Sequence, residues 1–259
     1  VRTFETLTRI LYDPAVFSGE PSMAMYRPLV VLSYVFNYAI SPDSPFGFIL
    51  FNLLLHAGVS LSVFLLLRCW AGDLWGAWSA AALFAVHPIN SQVVNYVSSR
   101  SESMAALGVL LSLWFALKDR QWASWISYGL GLLAKSQAIV LLPLLWVVRP
   151  IRPSSVRPYI PYGLISLLFL AVIYGNDFLP RSLAQEVRPL NVQLYTQMKV
   201  LVYYLYLFSM PHELSIEHPL VESPTMAPAV WFSFFLLASI LYMALASRRW
   251  HARSVLFWM

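Results

Sequence analysis

Residues 46–67 contain no Asp, Glu, Lys or Arg, and Arg68 ends the run. A helix needs about 20 apolar residues to cross the hydrocarbon core of a bilayer. In lipid, each backbone polar group must be satisfied within its own segment, which restricts such a run to a helix. The stretches 101–117, 159–175 and 228–246 also read as spans, and 75–87 is a shorter apolar run. Charged residues are only 11% of the chain and hydrophobic residues 59%. Soluble domains carry about a quarter charged residues, so lipid is the solvent for most of this surface. The expectation is an all-α, polytopic transmembrane helix bundle with interfacial helices.

Two stretches depart from plain spans. Residues 26–40 are apolar but short and carry Arg27 and Asn37, which reads as a helix lying in the interface. Residues 124–148 are interrupted by Lys135-Ser136-Gln137. Four basic groups (Arg68; Lys118 and Arg120; Arg149 to Arg157; Arg248 to Arg253) are assigned to the cytoplasm by the positive-inside rule. All four fit on one side if 124–148 goes out and comes back, breaking near Lys135. A single span at 124–148 is the alternative. In the first arrangement, 1–45, 88–100, the Lys135 break and 176–227 collect on the outer face, with 193–209 lying along the outer leaflet. The whole of 1–259 reads as one transmembrane domain: an outer segment 1–45, spans in 46–175, an outer segment 176–227, and spans in 228–259. The chain begins at Val1 within a mixed, polar stretch and ends in the apolar 255–259, like the start of another span, which suggests a fragment cut at both ends.

The net charge of +5 needs no nucleic acid, since cytoplasmic loops collect Lys and Arg. A single cysteine, Cys69, excludes an internal disulfide and a multi-cysteine metal site. There is no phosphate-binding Gly-rich loop, serine nucleophile elbow or zinc helix motif.

Three clusters carry candidate chemistry. In His87-Pro88-Ile89-Asn90 through Arg100-Ser101-Glu102, Glu102 falls in the first turn of a helix, where the dipole favours an anion. Helix capping accounts for that placement; the functional alternative is that Arg100 holds a phosphate and Glu102 a hydroxyl. Lys135 is an ionisable residue in an apolar stretch, a functional candidate whose natural partner is an anionic phosphate. The third cluster, 211–219, holds His212, Glu213, Glu217 and His218 without ligand spacing, and reads as a structured loop. Arg27 is read either as snorkelling to the interface or as a phosphate contact.

Several strings together resemble a known family. Tyr26-Arg27-Pro28-Leu29, Asn52-Leu53-Leu54-Leu55-His56-Ala57, His87-Pro88-Ile89 with Ser99-Arg100-Ser101-Glu102, and Leu132-Leu133-Ala134-Lys135-Ser136-Gln137-Ala138 follow one another in order. Thr196-Gln197, Tyr203-Tyr204 and Leu214-Ser215-Ile216-Glu217-His218 come after them. They resemble the transmembrane-and-tetratricopeptide O-mannosyltransferases, of the GT-C class, and their bacterial relatives. The resemblance implies an inverting membrane glycosyltransferase. It would take a sugar, mannose in that family, from a polyprenyl-phosphate donor to a protein or glycan acceptor on the periplasmic or luminal face.

The phosphate of such a donor needs cations at the outer leaflet, and Lys135, Arg100 and Arg27 can supply them. Glu102 would assist catalysis, and His87, Asn90, Glu217 and His218 would line the substrate pocket. The main base is implied in a loop upstream of Val1. No cofactor is required, a divalent cation being the one candidate. Ser99 stands where the family has Gly, and Ser136 where it has Glu, which removes a carboxylate beside Lys135. A flippase for lipid-linked sugars, or a scaffold for tetratricopeptide repeats, are the rival readings. A bacterial inner membrane is the expected location.

Overall fold

The structure is a computed structural model. It describes residues 9–10, 13, 16–17, 25–42, 44–148, 156–183, 188–212, 214–215 and 221–250. Every regular element among them is a helix, as the apolar runs required. The chain divides into two compact units, Val1–Gln185 and Glu186–Met259.

In the first unit, α1 (Pro28–Ile40) starts on a proline, whose fixed φ suits the first helical position. The long α2 (Pro45–Ala71) is capped by the Ser44 side chain and ends at Gly72, whose φ of 75° is the left-handed conformation of a helix terminus. The Asp73 carboxylate then accepts from Trp75 N and Gly76 N and starts α3 (Leu74–Val86). The polar stretch 88–100 is not an open loop. It folds into a 3-10 turn at Pro88–Asn90, the short α4 (Ser91–Asn95) and a second turn at Val97–Ser99. These lead directly into α5 (Arg100–Leu117).

A tight turn at Lys118-Asp119-Arg120, with Asp119 at φ 57°, reverses the chain into α6 (Gln121–Ala134). Lys135 then leaves helical geometry (φ −160°, ψ 132°). A 3-10 turn at Ser136–Val140 and α7 (Leu141–Val148) follow. The interruption expected near Lys135 is therefore a real break in the helix. Next come α8 (Ile160–Gly175) and the short α9 (Phe178–Leu183), which falls in the segment 176–227 that the sequence assigns to the outer face. Among the described residues, three helical segments are long and apolar enough to cross a membrane: Pro45–Ala71, Val97–Leu117 and Arg157–Gly175.

The second unit packs α10 (Leu190–Ser209) against α11 (Pro228–Trp250). Residues 221–223 lie along α10. Lys199 Nζ donates to the Val221 carbonyl at 2.8 Å, and Ser223 N donates to Thr196 Oγ1 at 3.1 Å. Arg188 pairs with Glu222 at 2.7 Å. Lys199, a cation inside an apolar run, is thus a backbone clip.

The centre of the first unit is the α5–α6 hairpin. Lipid supplies no hydrophobic drive between helices, so small residues and interhelical hydrogen bonds hold them together. Ser112 Oγ donates to the Ser124 carbonyl at 2.8 Å, and Ser124 Oγ returns the bond to the Ser112 carbonyl at 2.5 Å. With its one proton committed, Ser124 Oγ accepts from the Tyr162 hydroxyl of α8 at 2.6 Å. One level along, Tyr128 donates to Ser166 Oγ at 2.6 Å, since Ser166 spends its own proton on the Tyr162 carbonyl. At the crossing point, a Cβ placed on Gly108 would stand 2.7 Å from Gly131 Cα and 2.8 Å from the Ser127 carbonyl oxygen. Those are backbone atoms and do not move aside.

Gly108→Ala is therefore expected to force the hairpin apart. The cost is about 1–3 kcal/mol of overpacking, visible as a lower melting temperature of the detergent-purified protein. Gly163→Ala, at a position with nothing within 4 Å, should melt at or above wild type. Equal melting of the two variants would count against the close crossing.

Candidate functional site

The hairpin fixes the relative positions of two elements: the first turn of α5 and the break after α6. In the break, Lys135 N still donates to the Gly131 carbonyl at 2.9 Å, and Ala138 N to the Lys135 carbonyl at 3.0 Å. Ala138 is buried, and its Cβ lies 3.2 Å from where a Cβ on Gly131 would stand. The returning turn thus lies tightly on α6 and holds the Lys135 side chain toward α5. There its ammonium pairs with the Glu102 carboxylate. The lysine side chain is 14% exposed and the glutamate 48%.

Arg27 approaches the same turn from the start of α1. Its Nη1 donates to Ser101 Oγ at 3.3 Å, and its Nη2 lies 2.7 Å from the Met25 sulfur. Among the described residues no carboxylate pairs with it. The consecutive residues Ser101 and Glu102 therefore hold Arg27 and Lys135 respectively.

Both cations line a cavity of about 370 Å³, together with Ser136 and Gln137 on one side and Tyr26, Phe169, Ile173 and Phe178 on the other. The apolar wall is an aromatic cluster. Tyr26 lies 5.2 Å from Phe178 and 6.1 Å from Phe169 between ring centroids, and Phe17 packs on Tyr26 and Phe178 at 5.7 and 5.4 Å. Burial pushes the Tyr26 hydroxyl above its ordinary range, so it stays neutral. Tyr26 and Phe169 also line a second, almost wholly apolar cavity of about 230 Å³ between α6 and α8. Gly129 widens that groove, since a Cβ there would meet only Ile165 at 3.9 Å. The arrangement is amphiphilic, with two cations and amide and hydroxyl groups at one end and, at the other, an apolar wall whose Tyr26 and Phe169 also line the second cavity.

Arg100, expected to face a phosphate, is placed elsewhere. It is 0% exposed. Its Nε donates to Asn52 Oδ1 at 2.9 Å, Nη1 to Ser33 Oγ at 3.1 Å and Nη2 to the Phe48 carbonyl at 3.2 Å. The guanidinium carbon sits 4.4 Å from the Phe51 ring centroid and 4.8 Å from that of Tyr34. Asn52 extends the network to the Val94 and Tyr96 carbonyls, and Tyr34 to the Val97 carbonyl. Arg100 therefore ties α1, α2 and α5 together through neutral acceptors and aromatic faces. Spacing in the sequence placed it beside Glu102 but could not say which way it turned. Neighbouring helical residues point about 100° apart, so Arg100 and Glu102 need not share a side.

His87 and Asn90 shape the turn after α3. His87 Nδ1 accepts from Ile89 N at 3.2 Å, and Asn90 Nδ2 donates to the Phe84 carbonyl at 2.7 Å. Neither lines the two cavities. Glu217 and His218 lie outside the described residues. Among the described residues no three His, Cys, Asp or Glu side chains gather as metal ligands.

No family model and no solved structure matches the chain. Curated relatives do match. Protein O-mannosyl-transferase TMTC2 of Homo sapiens is 33% identical over 196 residues, 66% of this chain. Tmtc2 of Drosophila melanogaster is 34% identical over 143 residues, 50% of this chain. TMTC3 of Mus musculus is 38% identical over 90 residues, 35% of this chain. The chain resembles the TMTC protein O-mannosyl-transferases. It spans 23%, 15% and 10% of the length of these three TMTC relatives respectively.

The Arg100 network predicts that Arg100→Lys lowers the melting temperature of the purified protein, at a cost of about 2 kcal/mol, because an ammonium cannot serve three divergent acceptors. Glu102→Gln, at a half-exposed position, should melt close to wild type. A wild-type melting curve for Arg100→Lys would show that the network is not structural.

Proposed function

We propose that this chain forms the donor-binding part of a membrane glycosyltransferase that takes mannose from a polyprenyl-phosphate carrier to a protein acceptor. The observation that supports this reading best is the amphiphilic cavity, with Arg27 and Lys135 at one end and the Tyr26–Phe169 trough leading away from it. A prenyl phosphate has the same polarity along its length. The likeness to proteins named O-mannosyl-transferases supports the sugar and the acceptor class.

In this reading the cations grip the phosphate, and the isoprenoid chain lies in the groove between α6 and α8. The acceptor hydroxyl attacks the anomeric carbon from the face opposite the phosphate, which inverts the configuration. The bond from that carbon to the phosphate oxygen breaks, and its electron pair stays on the phosphate. A singly charged phosphodiester becomes a phosphomonoester of about −1.5 to −2 at pH 7. Arg27 and Lys135 stabilise the charge that develops, which is where preorganised donors accelerate such a step. The acceptor proton goes to a base outside this cavity, and Glu102 assists through its pairing with Lys135. The site works on the periplasmic or luminal side, where the acceptor is delivered.

Lys135→Ala and Arg27→Ala in the full-length protein should each weaken binding of farnesyl phosphate by about tenfold or more, the loss of one charge-assisted contact. Mannose transfer from a prenyl-phosphate donor should fall in parallel. Unchanged binding in both variants would rule the cavity out as the phosphate site.

A further inference from the structure

Resting on that reading of the cavity, we propose that Glu102 tunes the site to hold the singly charged donor and to release the more highly charged product. The charges at the polar end are not symmetric. Arg27 rests on a hydroxyl and a thioether, both neutral, and so keeps its whole charge for a ligand. Lys135 is already paired with Glu102. Two cations and one carboxylate leave a single net positive charge. That charge balances a phosphodiester of −1. It falls short of a phosphomonoester of about −1.5 to −2 at pH 7.

Geometry gives the carboxylate this position without making it part of the cavity wall. Lys135 lines the cavity and Glu102 does not. Glu102 sits in the first turn of α5, where the helix terminus stabilises its charge whether or not the lysine is shared. Being 48% exposed, it is also hydrated and loses little when the ammonium turns partly toward a ligand. An anion in the cavity therefore always competes with a fixed negative charge for the same ammonium, and the competition grows as the phosphate gains charge. Glu102 is in this sense a positioning residue, acting through Lys135.

The test compares three probes on the full-length protein in nanodiscs. Farnesyl phosphate mimics the monoester product, methyl farnesyl phosphate the diester donor, and farnesol the tail alone. Glu102→Gln should tighten farnesyl phosphate by about threefold, the scale of a partly exposed ion pair. It should tighten the diester less and leave farnesol unchanged. Glu102→Ala should move in the same direction, which guards against an effect peculiar to the amide. In turnover assays Glu102→Gln should lower KM and kcat together and deepen inhibition by added farnesyl phosphate. Suppose both phosphates bind through Arg27 and Lys135, but Glu102→Gln binds the monoester no more tightly than wild type. The tuning role then falls and the cavity assignment stands. If neither phosphate binds better than farnesol, the cavity assignment falls and the tuning role with it.

Discussion

The close crossing of α5 and α6 is the contact on which the rest of the first unit depends. Its paired positions step in opposite directions along the two helices: Ser112 with Ser124, Gly108 with Gly131, Glu102 with Lys135. Two glycines let the backbones touch, and the reciprocal serine bonds lock the register. A rotation of either helix by one residue would turn Glu102 or Lys135 about 100° away from its partner. Packing that works without a hydrophobic drive, by small residues and hydrogen bonds, thus sets the spacing of the charged groups at the end of the hairpin.

Arg100 serves the same hairpin from the other side. A cation buried without a carboxylate is costly unless it is well hydrogen-bonded. Here three neutral acceptors and three aromatic rings surround it, drawn from α1 and α2. That anchoring fixes the first turn of α5, on which Ser101 and Glu102 hold Arg27 and Lys135. The site and the scaffold are therefore successive residues of one helix turn, the first for structure and the next two for the cations.

Much of this was legible in the sequence, and the parts that were not have a common cause. The helical class followed from long uncharged runs, and the break at Lys135 from a cation interrupting one of them. Both are local properties. The outer-face stretches 88–100 and 176–227 showed no helices in the sequence where Ser91–Asn95 and Phe178–Leu183 form, because these segments are too short to show a period. Arg100 was read as a ligand because it neighbours Glu102, whereas its true partners are Asn52, Ser33 and Phe48, far away in the chain. The aromatic wall of the cavity is also non-local, joining Tyr26, Phe169 and Phe178 from three separate segments.

The central claim is that Arg27 and Lys135 together hold the phosphate of a lipid whose tail follows the α6–α8 groove. A cryo-EM structure of the full-length protein in nanodiscs with farnesyl phosphate tests it most directly. The account predicts phosphate density between the two cations and tail density running past Tyr26 and Phe169. Phosphate density elsewhere, with the Arg27–Lys135 cavity filled by side chains or bulk lipid, would contradict it.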